Sequence, residues 1–363
     1  MNTDSLSSLD ANVFRQLNID IFDENRNYWF LRTQGGTYFD EFYFNKYIGI
    51  EWDDIVDTSV ETIEDMAKLV MEKYPSEAKV TYVAGQIMKF IHGFKKGDIV
   101  LIPNKDSKII AFGEIAEDNI YVCDEGPTDP FLQLSIPEDD EVSVPILRKR
   151  RKVNWIKFYK REELDPYLQT FIYAHNTIVD LKPYALFIDR TLSDFYIKGN
   201  LGYFTLRINR PSNIPFDDLA DLFVLNRSLC NFINHYFPDY HIDRGELICK
   251  IDVQSKGPMQ FTGPIAKITA VGLICMMLCG GSVKITLKDG FELSSDGITK
   301  VIDTIVNAYD VIQTHQETAE QLEMKKEYDK LLEEYEQCKQ QLELAAPDLN
   351  AEIVITSESS NQQ

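Results

Sequence analysis

Trp29-Phe30-Leu31-Arg32-Thr33, then Gln34-Gly35-Gly36-Thr37, then Phe39, Phe42 and Tyr43, then Tyr47-Ile48-Gly49-Ile50-Glu51-Trp52 make up the segment from which the chain can be ordered. Two short runs of β-branched and aromatic residues flank a glycine turn, which is the pattern of strands. Downstream, Ile63, Met66, Leu69, Val70 and Tyr74 recur at helical spacing until Pro75, and Val83, Ile87, Phe90, Ile91 and Phe94 repeat it. Lys96-Gly97-Asp98 then turns into Ile99–Pro103, followed by strands at 109–115 and 120–122. Residues 124–145 are acidic, carry four prolines and read as a loop, and a basic strand runs from Leu147 to Arg161.

Upstream, residues 1–20 read as a polar leader with no basic or apolar signal region. Beyond a linker at 165–183 the pattern restarts as a second α+β domain over 184–312. Its strands are expected at 184–189, 194–198, 203–209, 247–253 and 283–287, and its helices at 216–237, 264–279 and 297–312. The apolar run Ile265–Cys279 falls short of the roughly 20 residues that span a bilayer and is interrupted by Lys267, so a core helix is expected and a membrane role is not. Residues 313–345 read as a helix. Within it, Met324, Tyr328, Leu331, Tyr335, Cys338 and Leu342 form a heptad seam over 321–342, which points to a short coiled coil joining two copies; docking of a partner protein and folding back on the chain's own second domain are the alternatives. Residues 346–363 are polar and expected to be disordered. The fold class is therefore α+β, with domains at 21–180 and 184–312.

The net charge is −21 over 363 residues, which opposes generic binding along a phosphate backbone. Its distribution is uneven: −12 over 1–180, −1 over 181–310 and −8 over 311–363. Against this background Arg148, Lys149, Arg150, Arg151 and Lys152, followed by Lys157, Lys160 and Arg161, form one basic stripe with no acid inside it and with Trp155, Phe158 and Tyr159 interleaved. Arg148–Lys152 and Lys157 are the candidate phosphate contacts; the competing reading pairs them with Glu138, Asp139, Asp140 and Glu141 just upstream. Six scattered cysteines without a C-x-x-C pair indicate reduced thiols in a cytoplasmic protein, and no His or Cys spacing suggests a metal. No cofactor motif is present: Gly280-Gly281 lacks the lysine of a phosphate loop and reads as a helix end. His175 stands alone and reads as structural.

Trp29-x-x-Arg32, Phe39 and Phe42, and Ile48-Gly49-Ile50-Glu51-Trp52 open a longer ordered set. It continues with the helix to Phe90, Lys96-Gly97-Asp98-x-Val100-x-x-Pro103, Gly113-x-Ile115, Arg151-x-Val153-x-Trp155 and Arg161-x-x-Leu164. Over residues 26–180 this set resembles the N-terminal domain of Mrr-type restriction proteins, a small β-barrel related to PUA and EVE modules. One position departs: Glu51 stands where that family usually has glycine before the second Trp, which alters the shape or charge of any pocket there. The resemblance implies recognition of a nucleic acid, often through a modified base in an aromatic pocket, or of a nucleotide ligand, within a bacterial defence system. Trp29, Trp52 and Trp155 are the ring candidates and Arg32 the polar partner, against the alternative that the tryptophans are barrel core. Cleavage in such proteins is done by a separate domain with a D…(E/Q)-x-K signature. Glu77-Ala78-Lys79 lies inside the reading domain and Glu323-Met324-Lys325 in the coil, so a non-catalytic sensor is expected. The rival classes are a scaffold whose barrel holds no ligand and an enzyme of unrecognised type in 184–312.

Overall fold

The computed structural model describes residues 8–129, 145–243, 245–251, 256–279, 282–287, 301–308, 318–347 and 350–355. It is a mixed α+β structure, and its chain forms two compact units, Asn25–Thr191 and the rest, with Met1–Glu24 belonging to the second. Helix α1 (Ser8–Gln16) and strand β1 (Asp20–Phe22) open the chain, and β1 pairs in parallel with β9 (Phe195–Lys198). The expected polar leader is therefore not one. Val13, Phe14, Leu17 and Ile19 are buried in the core of the second unit. Their short apolar pattern has no partner nearby in sequence, because the strand and helices it packs with lie more than 170 residues downstream.

In the first unit come β2 (Tyr28–Leu31), α2 (Phe39–Asn45), β3 (Tyr47–Ile50), α3 (Ile63–Lys73) and α4 (Val80–Met88), the last extended by a π-helical turn, Lys89–Gly93. The strands β4 (Ile99–Pro103), β5 (Ile109–Ile115), β6 (Tyr121–Val122), β7 (Lys149–Lys160) and β8 (Ile178–Asp180) follow, then α5 (Ala185–Leu192). The strand order is β3-β7-β5-β4-β2-β8, with β6 also on β7, and the sheet curls into a half-barrel. Thr62 caps α3 by accepting from Asp65 N at 3.2 Å. The core on the helix-covered face joins Trp29, Leu31, Phe42, Ile48, Val70, Ile87, Phe90, Val100, Ala111 and Val153. The segment expected as a linker packs on the opposite face of the sheet: Pro166–Tyr173 is 3₁₀-helical, its Leu168, Phe171 and Ile172 are buried, and the Phe171 ring lies 5.0 Å from that of Phe30, which alternates with the core residues Trp29 and Leu31. Residues 184–189, expected as a strand, instead complete a 3₁₀ turn (Lys182–Tyr184) and open α5. An apolar run of five has no readable period, and Pro183 sits where helices start.

The second unit continues with β10 (Leu201–Ile208), α6 (Phe216–Tyr236), β11 (Ile248–Ile251), β12 (Gly257–Pro264), α7 (Ile265–Leu278) and β13 (Ser282–Leu287). Residues 301–308 are helical, and α8 (Ala319–Leu342), β14 (Leu344–Ala345) and β15 (Asn350–Ile355) complete it. Its main sheet runs β1-β9-β10-β12-β11, with β14 on β10. Helix α7 is buried along its length from Ile268 to Leu278, and it approaches β10 so closely that a Cβ on Gly202 would stand 2.9 Å from Ile268. No helix among the described residues is long and apolar enough to cross a membrane.

Two expectations for the C-terminal end are corrected. Tyr328, Leu331, Tyr335, Cys338 and Leu342 of α8 are buried within the second unit's own core. Helix α8 runs antiparallel to α6, with Tyr328 against Phe232 at one end and Gln337 and Gln341 on Asp221 at the other. The Tyr335 hydroxyl meets the Sγ of Cys279, the residue that follows α7, at 2.9 Å. The heptad seam is thus covered inside the chain, and tyrosines are accommodated there because their partners are not a symmetric copy. In the tail, residues 350–355 form β15, paired in parallel with β13 rather than disordered.

Candidate functional site: the mouth of the half-barrel

The four residues expected to bind a ligand have separate partners. Trp29 is core: it is 8% exposed, its Nε1 donates to Asp98 Oδ2 at 2.9 Å and its ring stacks on Phe94 at 4.7 Å. Asp98 also accepts from the backbone of Asn27 and Lys95, so this pair ties β2 to the turn before β4. Arg32 is half-buried and donates to the Ala174 carbonyl at 2.8 Å. Trp155 is half-buried on β7, donates to the Phe42 carbonyl at 3.0 Å and stacks beside Tyr43. Its ring lies across Gly113, where a Cβ would come within 2.6 Å of it. The register between β5 and β7 shifts at this point, a β-bulge that brings Phe158, opposite Ala111, onto the same face as Trp155, opposite Gly113.

Trp52 differs from the other two tryptophans. It follows β3 with φ +64°, a left-handed backbone that a bulky side chain rarely adopts. Such a residue costs on the order of 1–3 kcal/mol and persists only where its surroundings hold it. Here they do. Lys149 Nζ donates to the Trp52 carbonyl at 2.6 Å. The Asp53 carboxylate accepts three successive backbone N–H groups, from Ile146, Leu147 and Arg148, at 2.8–3.2 Å. Asp54 N donates to the Tyr74 hydroxyl at 3.0 Å. The indole is half-buried, packed on one side against the core.

Beside it stands Glu51, whose Oε1 accepts from Gln34 Nε2 at 3.0 Å. The Tyr38 hydroxyl also bonds this carboxylate. Burial holds the Glu51 carboxyl above the usual range despite those bonds, and burial together with Glu51 pushes the Tyr38 phenol up. Gln34, Gly35 and Gly36 all have positive φ, and Gly36 lies against the backbone of Lys105, where a Cβ would be 2.2 Å from the amide nitrogen. The loop after β2 and the loop after β3 therefore meet in a polar cluster of Gln34, Tyr38 and Glu51, here termed the mouth, with Trp52 the next residue in the chain. Gln34 and Tyr38 are functional candidates that the sequence reading passed over. The available signal was Gln34-Gly35-Gly36, read only as a turn.

Three central residues of the basic stripe are turned away from solvent. Lys149, Arg150 and Arg151 are 0%, 7% and 1% exposed. Arg151 donates to the carbonyls of Phe90, Ile91 and Asp118 at 2.6–2.9 Å, closing the π-turn at the end of α4. Arg150 donates to Leu147, Glu125 and Ile146 carbonyls and stacks its guanidinium 4.4 Å over the Tyr47 ring. Burial lowers the Lys149 amine to about 8. Arg148 pairs with Asp124 and Lys152 with Glu117. Of the six expected phosphate contacts, Lys152 and Lys157 are exposed, and Lys157 lies over the Tyr159 ring at 4.9 Å. The acidic residues 138–141, the alternative partners, fall outside the described residues. The stripe misleads because β7 alternates between faces near its start but is enclosed on both edges there, by β3 and β6.

Among the described residues no three His, Cys, Asp or Glu side chains gather as a metal site. No curated protein and no solved structure matches the chain. Residues 30–182, the span that builds this mouth, match a family described as a domain of unknown function (DUF8426).

Proposed function

We propose that the first unit is a non-catalytic reading module that receives one nucleic-acid base, or the nucleotide carrying it, at the mouth formed by Gln34, Tyr38, Glu51 and Trp52. The supporting observation is the left-handed Trp52, held by Lys149 and Asp53 with its indole half-exposed. Backbone strain maintained by several buried bonds is a feature of binding sites, and an aromatic face beside convergent polar groups suits a planar ligand. The carboxylate of Glu51 adds a selection: a hydrogen-bond acceptor at the mouth matches the exocyclic amine of cytosine or adenine. The sequence resemblance to PUA- and EVE-like domains supports the same reading and extends it to a sensor of a bacterial defence system, acting in the cytoplasm.

The experiment is titration of the intact protein, followed by calorimetry, with cytidine, adenosine, uridine and guanosine, plain and base-methylated. Trp52→Ala is expected to abolish binding, and Glu51→Gln to weaken cytidine and adenosine most. Unchanged binding by Trp52→Ala would remove the mouth as the site.

A further inference from the structure

The β4–β5 turn and the end of β7 bring together cations that are far apart in sequence. Ile109 pairs with Lys160, and Arg161 N donates to the Lys108 carbonyl at 2.8 Å. Lys105 and Lys108 thus stand on the turn beside Lys160 and Arg161, with Lys157 on the same strand. Lys105, Lys108, Lys157 and Lys160 are exposed. Unlike Lys149, Arg150 and Arg151, these four lysines are not enclosed by the barrel. Three carboxylates lie close in sequence. Asp106 meets Lys108 at 3.6 Å with both side chains well exposed, a pair that contributes little and yields readily to a competing anion. Glu163 accepts from the Lys160 backbone N–H, and Glu162 is exposed. Two aromatic rings accompany the cations: Phe158, 52% exposed, and Tyr173, 67% exposed under the Arg161 guanidinium. The turn touches the mouth's own loop through Gly36, whose backbone lies on Lys105.

We infer that Lys105, Lys108, Lys160 and Arg161 form a phosphate-binding rim, and that the ligand of the mouth is accordingly a single nucleic-acid strand and not a free base or nucleotide. The inference rests on the reading of the mouth given above. A polynucleotide fits because several cations beside two exposed rings can follow a backbone, whereas one terminal phosphate would engage one or two of them. The rim also resolves the conflict with a net charge of −21, since cations are concentrated where the strand leaves the mouth.

The test compares the intact protein with Lys105→Ala/Lys108→Ala/Lys160→Ala, all exposed positions, using a mixed-sequence single-stranded DNA 12-mer and the separate nucleosides. The log–log salt slope for the 12-mer is expected to flatten by about 2, at about 0.7 per lost contact on a single strand. Nucleoside affinity is expected to stay unchanged, and so is the slope for Lys152→Ala, which is paired with Glu117. An unchanged slope in the triple variant overturns the rim. If the 12-mer binds no more tightly than nucleosides at low salt, the strand is overturned while the mouth stands. A nucleoside triphosphate that binds as tightly as the 12-mer reassigns the cations to a free nucleotide and likewise overturns the strand. Absence of binding by any of these probes removes both the rim and the mouth.

Discussion

Gln34 donates to Glu51 at 3.0 Å although their strands, β2 and β3, stand four places apart in the sheet order. Only a curled sheet brings these two loops together, so the bond links the closure of the half-barrel to the composition of the mouth. Its acceptor is a half-buried carboxylate held above its ordinary range by burial. Because the folded value exceeds the unfolded one, Glu51 favours folding most at pH below the ordinary carboxylate range, and that contribution is lost as pH rises through the folded value. Relative to Glu51→Gln, the wild-type protein is expected to lose stability as pH rises above about 4.5. Thermal unfolding of both proteins from pH 4 to 7 measures this. A difference that does not change with pH would mean that Glu51 is solvated like a surface carboxylate.

Lys149 gives the opposite end of the scale. Its amine is lowered to about 8 by burial, below the roughly 10.4 of a free lysine. Between those values the unfolded chain binds the extra proton, so stability rises with pH across that window. Compared with Lys149→Met, wild type is expected to gain up to about 1.4 kcal/mol per pH unit there. Denaturant midpoints at pH 7.5, 8.5 and 9.5 test it, and parallel curves for the two proteins would count against a buried amine. Loss of the bond to the Trp52 carbonyl should also shift the emission of Trp52, which a purely electrostatic role of Lys149 would leave alone.

How much of this was legible in the sequence varies by element, for physical reasons. Helix α3 and strands β2 to β5 carry clear periods, and their edges were placed to within about three residues. The glycine turn at Gln34–Thr37 was visible, but its link to Glu51 depends on closure of a sheet and has no local signature. Trp29 and Trp52 are the same residue type in similar apolar and aromatic stretches of sequence. What separates them is a backbone angle and a buried lysine about 100 residues away. The basic run at 148–152 looked like a surface because charge is normally solvated. Here the Arg151 guanidinium satisfies carbonyls at the end of a helix, a use that becomes visible only when α4 and β7 are placed together. In α1 the apolar positions are too few to stand out from a polar segment, and their partners are remote.

Arg151 is therefore expected to act on stability and not directly on phosphate. Arg151→Met would leave two buried carbonyls, of Phe90 and Ile91, without a partner, each worth about 1–3 kcal/mol when unsatisfied, and would hand the part-buried Asp118 carbonyl to water. A loss of at least about 2 kcal/mol is expected, read as a lower denaturant midpoint. Lys157→Ala, exposed on the same strand, should fall within about 0.5 kcal/mol of wild type. Equal stability of the two variants would contradict the buried placement of Arg151.

Phe14 is wholly buried in the second unit. Phe14→Ala is expected to cost about 3–5 kcal/mol. The exposed Arg15 beside it should tolerate the same change at nearly no cost. Hydrogen exchange can then show where the loss falls. Faster exchange in β9 and β10, with β4 and β5 unchanged, is the pattern expected from α1 and β1 belonging to the second unit.

The last expectation concerns α8. Its stripe of Tyr328, Leu331, Tyr335, Cys338 and Leu342 is buried against α6 and α7, while Leu322, one turn before Lys326, is 41% exposed. If the stripe served to join two copies, Leu331→Ala would lower the mass in solution and leave the fold of each copy intact. With the stripe covered inside the chain, Leu331→Ala instead costs about 2–5 kcal/mol of stability, and Leu322→Ala costs little. Ending the chain at Gln313 removes the cover from α6 and α7, exposing Phe232, Cys275 and Cys279 together. That shortened chain is expected to aggregate or lose its cooperative transition. Light scattering combined with thermal unfolding separates the two cases. A well-folded monomer from the shortened chain, beside a dimer from the intact one, would return the seam to self-association.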